Sequence, residues 1–359
     1  MALNSPRLSI AFIALLSACA PGNGNDATPY DGDRKRAPVD LSEALPPDPD
    51  LNPFLGIERF NQWRRTHAEA CLTIGETPSN DTERGLAAIR DAIEATDLGG
   101  KTLAEMRGTR VSICHESTGV LEEENRVEKI AGVFWSARRA LGVTSDVTEG
   151  RQILTSAHEY RHAWQNHNMG FAFDDKLGRV AHATRTLMIE ADARTFAVGV
   201  AWQLKQAGDS RAWDAAMSLR GTYRPIAQAF QARMRDIARD EGRAAVNNDD
   251  SMTRAMTDAY NAWFTAPENS RQYINRLNRL FVERIDDWRG TEDLPRQFGV
   301  WLSRLPGVGE GRPSYLGQGA LAQAQIEAIR KVQFPEGTRL PITPMASSSG
   351  GGKPPALMP

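Results

Sequence analysis

The segment His158-Glu159-Tyr160-Arg161-His162 combines residue types and a spacing that suit metal-dependent hydrolysis. Residues four positions apart on an α-helix lie nearly one above the other, so His158 and His162 can reach the same zinc ion. Glu159 faces the same cleft and can accept a proton from a water molecule there. The motif therefore predicts two zinc-binding imidazoles and a carboxylate that acts as general base.

The residues around this motif favour a helix. No Gly or Pro occurs between Arg151 and Asn168, and Ile153, Leu154 and Trp164 belong to an apolar stripe. With 6 His in 359 residues, roughly 0.006 chance occurrences of the motif are expected per chain. The alternative is a buried helix whose two His side chains only hydrogen-bond to their neighbours.

A third metal ligand is needed, because catalytic zinc usually has three protein ligands and one open position. The metzincin pattern requires Gly and His three and six residues after the second His, where this chain has Gln165 and Asn168. That class is excluded. Glu190, on the next strongly helical segment, is the leading candidate; His182 on the same segment, or a residue elsewhere, is the alternative.

The two segments resemble a bacterial metallopeptidase domain family of otherwise unknown function. The first reads His158-Glu-Tyr-Arg-His-Ala-Trp-Gln and the second Glu190-Ala-Asp-Ala-x-x-Phe-Ala. They are also similar to regulatory gluzincin-like peptidases of the phage-antirepressor and radiation-response type, whose second motif is E-x-x-A-x-x-F-A. The resemblance covers residues 155–200. It implies a zincin-like core with zinc bound by His158, His162 and Glu190, and with Glu159 as the catalytic base.

In Glu-ligand zincins a second helix packs against the motif helix, and Ala193 and Ala197 would allow that close approach here. The thermolysin-like pattern has an Asp four residues after the ligand Glu, but this chain has Arg194. Asp192 points about 200° around the helix from Glu190, so it either orients a ligand or forms a structural ion pair. An oxyanion-stabilising residue is also expected. The sequence does not rank its four candidates, which are Tyr223, Arg194, His182 and Tyr315.

The N-terminus predicts export and lipidation. Arg7 precedes an apolar run over residues 8–16, which is typical of a signal peptide at residues 1–18. The ending Leu-Ser-Ala-Cys19 resembles a bacterial lipobox, so Cys19 is predicted to carry the lipid. An ordinary signal peptide and an uncleaved anchor are the alternatives, although the run is too short to span a bilayer. Ala20 favours the outer membrane under the sorting rule of enteric bacteria.

These features predict a protein anchored on the periplasmic side of the cell envelope, with a peptide or protein as substrate. The formal net charge of −2 suggests neither a nucleic-acid partner nor binding to anionic lipid. Cys71 and Cys114 then form an even pair in an oxidising compartment, which predicts a disulfide bond. Two unrelated buried thiols are the alternative.

The expected fold class is mainly α (α+β). A disordered tether is predicted at residues 19–56, which contain few large apolar residues, and a disordered tail at residues 336–359, which are low in complexity. The zincin-like domain is expected at 57–335, with 207–335 as an alternative helical subdomain. Helices are predicted at 57–71, 81–96, 151–168, 180–206, 214–239, 252–264, 270–288 and 318–332.

A small antiparallel sheet is expected beside these helices. Residues 109–115 alternate between apolar and polar side chains, as a half-buried strand does. Residues 130–135 predict a second strand, although a helix through Leu141 fits equally well. If the pair lies above the motif helix, its free edge could hold an extended peptide by backbone hydrogen bonds.

The sequence thus predicts a zinc-dependent peptidase of the cell envelope. The alternative from another class is a non-catalytic zinc-binding lipoprotein that binds peptides or has a structural role. A cytoplasmic regulator that cleaves a repressor is a further alternative, which the signal peptide opposes.

Overall fold

The computed structural model describes residues 71–266, apart from gaps at 117–118, 124–125, 131, 136–138 and 170–178, and also residues 269, 271 and 273–275. Several predicted features lie outside these residues. They are the signal peptide, Cys19, the tether, most of the helix at 57–71, most of the helix at 270–288, Tyr315, the helix at 318–332 and the tail. The last residue of the helix expected at 57–71, Cys71, lies in a strand instead.

Six strands are described: β1 (Cys71–Thr73), β2 (Ser112–Glu116), β3 (Gly119–Glu123), β4 (Arg126–Ile130), β5 (Gly132–Trp135) and β6 (Ala140–Thr144). The main sheet has the order β1-β2-β6-β5. β2 pairs antiparallel with β1 and parallel with β6, and β6 pairs antiparallel with β5. β3 and β4 form a separate antiparallel pair. Strand β5 is thus an edge of the described sheet.

The sheet differs in two ways from the sequence expectation. The helix alternative through Leu141 is wrong, because Leu141 lies in β6. The sheet is mixed rather than antiparallel, because β6 separates β2 from β5 and runs parallel to β2. All five residues of β6 are buried. A strand covered on both faces shows no alternation between apolar and polar residues, which is why the sequence pattern missed it.

Seven helices are described: α1 (Asp81–Glu94), α2 (Asp97–Met106), α3 (Glu149–Met169), α4 (Arg179–Gln206), α5 (Arg211–Ser218), α6 (Arg224–Asp240) and α7 (Asp249–Thr265). A short 3₁₀-helix at Arg243–Asn247 precedes α7. The predicted mainly α (α+β) fold class is confirmed. Side-chain oxygens of Asn80, Thr96 and Asn248 cap α1, α2 and α7 by accepting backbone N–H groups of the first turn.

Two helix predictions need correction. The single helix expected at 214–239 is two helices, since Pro225 lies in the first turn of α6 and the N–H of Arg224 bonds to the carbonyl of Leu219. Helix α2 was not predicted, because Gly99 and Gly100 weaken the helical pattern. A Cβ at Gly99 would lie 2.1 Å from the carbonyl oxygen of Ile93. The glycine is therefore required by the tight junction between α1 and α2.

Helix α3 lies at the centre of the fold and packs against the β5–β6 edge of the sheet and against α1, α2, α4 and α5. Helix α4 is buried on all sides from Ala181 to Trp202. One continuous apolar core joins the sheet to all seven helices. Among the described residues, no helix has both the length and the apolarity that crossing a membrane requires.

A disulfide bond joins Cys71 of β1 to Cys114 of β2. The two residues are directly opposite each other in the β1–β2 pairing, and both are buried. The bond fixes the edge strand β1 to β2, which is an interior strand of the sheet.

Loss of this disulfide should lower the free energy of unfolding by about 4 kcal/mol, because the bond closes a loop of sequence separation 43. Chemical denaturation of the wild type with and without reductant measures the change. The Cys71→Ala/Cys114→Ala variant is the control and should not respond to reductant. Two free thiols in the denatured, non-reduced wild type would contradict this expectation.

Candidate metal centre

The structure brings His158, His162 and Glu190 together at the interface of α3 and α4. His158 and His162 lie one turn apart on α3, and Glu190 approaches them from α4. The two Nε2 atoms are 2.9 Å apart. Glu190 Oε2 lies 3.5 Å from His158 Nε2 and 3.6 Å from His162 Nε2. All three side chains are buried, with at most 3% of their surface exposed.

This geometry fits a metal ion. A triangle with sides of 2.9, 3.5 and 3.6 Å has a point about 2.0 Å from every corner, and zinc binds His nitrogen and carboxylate oxygen at roughly 2.0–2.2 Å. Neither oxygen of Glu190 has a hydrogen bond within the described part of the chain. A buried carboxylate is costly unless a cation or donor satisfies it, so the arrangement matches a cation site.

The protonation states also suit metal binding. Burial, together with the nearby His162, lowers the pKa of His158 to about 3. Its ring is therefore neutral at physiological pH, as a metal ligand must be. Burial by itself raises the pKa of Glu190, but the electrostatic attraction of the two neighbouring imidazoles outweighs this effect and lowers the pKa. Glu190 is therefore ionised.

His182, the competing third ligand, does not join this group. It lies near the beginning of α4 and is buried. Among the described residues, the one group of three or more metal-binding side chains is His158, His162 and Glu190. The geometry therefore favours Glu190 over His182.

Glu159 is fully buried beside the edge strand of the sheet. A Cβ at Gly132 in β5 would lie 2.3 Å from Thr155 Cγ2 and 3.4 Å from Glu159 Cγ. Only glycine permits this close approach of β5 to α3. The edge strand thus passes directly over the turn of α3 that carries the candidate base.

A hydrogen-bonded chain leads from His162 to α4. His162 Nδ1 lies 2.8 Å from Gln165 Oε1. Gln165 Nε2 donates to Asp192 Oδ2 at 2.5 Å, and Asp192 accepts two hydrogen bonds from Arg161 at 2.7 and 3.1 Å. Burial raises the pKa of Asp192, and Arg161 opposes this rise. Asp192 thus has both roles that the sequence left open, an ion pair and a contact to a partner of His162.

Arg194 is the oxyanion candidate whose surroundings are best defined. It is buried one turn after Glu190, and its positive charge contributes to the low pKa of His158. Its guanidinium donates to Asn269 Oδ1 at 3.1 Å and to the Tyr273 hydroxyl at 3.2 Å. Tyr223 packs on the guanidinium, with its ring centroid 5.6 Å away. Arg194 and Tyr223 therefore lie in one cluster.

Sequence reasoning missed Gln165 and Gly132. Gln165 lies three residues after His162, the spacing at which helical side chains meet, so its position was available as a signal. Gly132 had no comparable signal, because its role depends on a strand crossing a helix that is distant in sequence.

The model of one protein family, the putative metallopeptidase family DUF6782, matches residues 64–310 of the chain. This match includes both ligand helices and the whole described sheet. No curated protein and no solved structure matches the chain.

Removing one ligand should abolish stoichiometric metal binding. We expect His162→Ala and Glu190→Ala to lose zinc, because two remaining ligands hold the ion poorly. His167→Ala is the matched control, since His167 is exposed on the same helix. Metal content by mass spectrometry is the measurement. Zinc retained in Glu190→Ala would place the third ligand elsewhere.

The metal-free protein should lose stability as the pH falls. Unfolded His158 takes up a proton near pH 6.5, whereas the folded residue does so only at about 3. Between these values the unfolded state binds more protons, so the free energy of unfolding decreases towards low pH, by up to about 1.4 kcal/mol per pH unit for this group.

Denaturant titrations of the metal-free protein between pH 7 and pH 4 test this expectation. His158→Gln is the control and should show a shallower pH dependence. Equal slopes in the two proteins would contradict the assignment of a neutral His158.

Proposed function

Since the chain belongs to this putative metallopeptidase family, we propose that it is a zinc-dependent peptidase. The observation that carries the proposal is the convergence of His158, His162 and Glu190 next to the buried Glu159. Two imidazoles and one carboxylate form the ligand set of Glu-type zinc peptidases, which leaves one coordination position for water or substrate. A structural zinc site, by contrast, usually has four protein ligands.

Zinc is the ion that this donor set favours, because it accepts nitrogen and oxygen ligands in tetrahedral geometry. When bound, it would supply Lewis-acid activation of water and of the scissile carbonyl. His158 contributes a neutral nitrogen at neutral pH, and Glu190 contributes a negative charge that partly balances the cation.

Glu159 is the general base of the proposed reaction. It takes a proton from the water as the oxygen bonds to the scissile carbonyl carbon, and it returns the proton to the leaving amine when the C–N bond then breaks. Its buried position excludes bulk water from competing for the carboxylate. Arg194, whose charge acts on the same site, is our preferred candidate to stabilise the developing oxyanion.

The substrate is proposed to be an extended peptide that pairs with β5. Strand β5 is the edge of the described sheet, and its first residue, Gly132, approaches Glu159. A peptide added to this edge would make backbone hydrogen bonds, and its carbonyl groups would lie near α3. This mode of binding selects for extended conformation more than for side chains.

We also propose that the protein acts in the bacterial cell envelope, where a lipid on Cys19 anchors it to the outer membrane. The disulfide between Cys71 and Cys114 supports an oxidising compartment. Candidate substrates are then envelope proteins, peptides or the peptide stems of peptidoglycan.

One observation favours a non-catalytic role. His158, Glu159 and Glu190 are all fully buried, as expected where a metal only stabilises the interior. This alternative predicts bound zinc without cleavage. It remains the second candidate, a zinc-binding envelope protein with a structural or peptide-binding role.

Glu159→Gln should abolish peptidase activity while zinc stays bound. The amide is close in shape to the carboxylate but cannot accept the proton, so we expect a loss of at least about 10²–10⁴-fold in turnover. Cleavage of a mixed peptide library, followed by mass spectrometry, measures activity on the mature zinc-loaded protein.

Glu105→Gln is the matched control, since that carboxylate accepts a hydrogen bond from Trp164 on the side of α3 away from the site. Full activity in Glu159→Gln would refute the assigned base. A zinc-loaded wild type that cleaves nothing would favour the non-catalytic role.

A further inference from the structure

We propose that Gln165 is a positioning residue that holds His162 in its metal-binding form and is itself held by the Arg161–Asp192 ion pair. The inference deepens the proposed function, on whose metal site it rests. Gln165 lies between the His162 ring and the Asp192 carboxylate, with contacts of 2.8 and 2.5 Å. All four side chains are buried, so water does not compete for these contacts.

The orientation of the Gln165 amide follows from its neighbours. Its nitrogen Nε2 faces two acceptors, Asp192 Oδ2 at 2.5 Å and the Ile189 carbonyl oxygen at 3.2 Å. Both hydrogens of the amide group are therefore engaged. If the amide were flipped, its oxygen would face two acceptors at these distances, which is repulsive. The oxygen Oε1 must consequently face His162.

This orientation selects one tautomer of His162. Because Oε1 can only accept, Nδ1 of His162 must carry the hydrogen and donate it. The lone pair is then on Nε2, the atom that faces His158 and Glu190. Without the amide, the ring could protonate at either nitrogen and rotate. Gln165 thus prepares His162 to bind a metal through Nε2.

The ion pair between Arg161 and Asp192 fixes the other end of this series of hydrogen bonds. Arg161 donates two hydrogen bonds to Asp192, and its guanidinium lies 4.1 Å from the Trp164 ring centroid and 5.3 Å from that of Phe196. The pair connects α3 to α4, the two helices that supply the ligands. The orientation of His162 therefore depends on the same contact that sets the distance to Glu190.

The side-chain amide of Gln165 is neutral, so it places no further negative charge between Asp192 and the metal site. A carboxylate at position 165 would accept from His162 but would place a second negative charge against Asp192, 2.5 Å away. Gln165 can accept on one side and donate on the other. It therefore links the ion pair to the imidazole of His162 by hydrogen bonds and adds no charge to the site.

Zinc affinity of the mature full-length protein, measured by competition with a chromogenic chelator, tests the inference. We expect Gln165→Met, which keeps the length of the side chain but removes its hydrogen bonds, to lower zinc affinity about 10-fold to 100-fold. Gln203→Met is the matched control. Gln203 also lies in a ligand helix and accepts a hydrogen bond from the N–H of Leu98, but it has no contact with the site. Its zinc affinity should equal that of the wild type.

A second measurement does not depend on the folding of any variant. Nitrogen NMR of the zinc-free mature wild type distinguishes the two tautomers of His162. We expect the hydrogen on Nδ1 and the lone pair on Nε2, because Gln165 Oε1 can only accept from Nδ1. In Gln165→Met the ring should no longer be restricted to this tautomer.

The outcomes separate this inference from the peptidase proposal, because zinc affinity is independent of cleavage. Unchanged zinc affinity in Gln165→Met, or an equal loss in Gln203→Met, would overturn the inference. A zinc-free wild type whose His162 carries its hydrogen on Nε2 would also overturn it. A wild type without zinc affinity would overturn the site and the inference together.

Discussion

The contact between α3 and α4 is the constraint on which the rest of the structure depends. It places two imidazoles and a carboxylate in the buried interior, where an uncompensated charge is strongly unfavourable. Two interactions relieve this cost. The imidazoles of His158 and His162 surround Glu190, and Arg161 neutralises Asp192. A bound cation would complete the balance, which explains why such polar helices can form the centre of the fold.

The remaining elements hold this contact in place and border the candidate site. The sheet covers α3 along β5 and β6, and Gly132 lets its edge pass over Glu159. The disulfide between Cys71 and Cys114 secures the opposite side of the same sheet. Helices α5 to α7 extend the apolar core around α4. The sheet edge and Glu159 are thus parts of one packed arrangement, as the proposed catalysis requires.

The sequence pattern predicted the long helices well, and it predicted the short, glycine-containing elements poorly. The α3 segment has long, uninterrupted helical signals, and its bounds are close to those expected. β6 lacks alternation because both faces are covered. α2 was missed because Gly99 is a poor helix former, yet it is required by a carbonyl group of the preceding helix. Packing on both faces decided the structure of β6, and a close contact with the preceding helix decided that of α2.

The sequence by itself determined the chemistry of the site. The i, i+4 spacing of His158 and His162 puts both rings on one helix face, and this depends only on helical geometry. Only the tertiary structure decided between Glu190 and His182, because that choice depends on how two helices pack. It also decided the role of Asp192, which helical angles placed away from the site. The long side chains of Arg161 and Gln165 reach from α3 across the interface to Asp192. The distance between the two helices cannot be calculated from the geometry of either helix by itself.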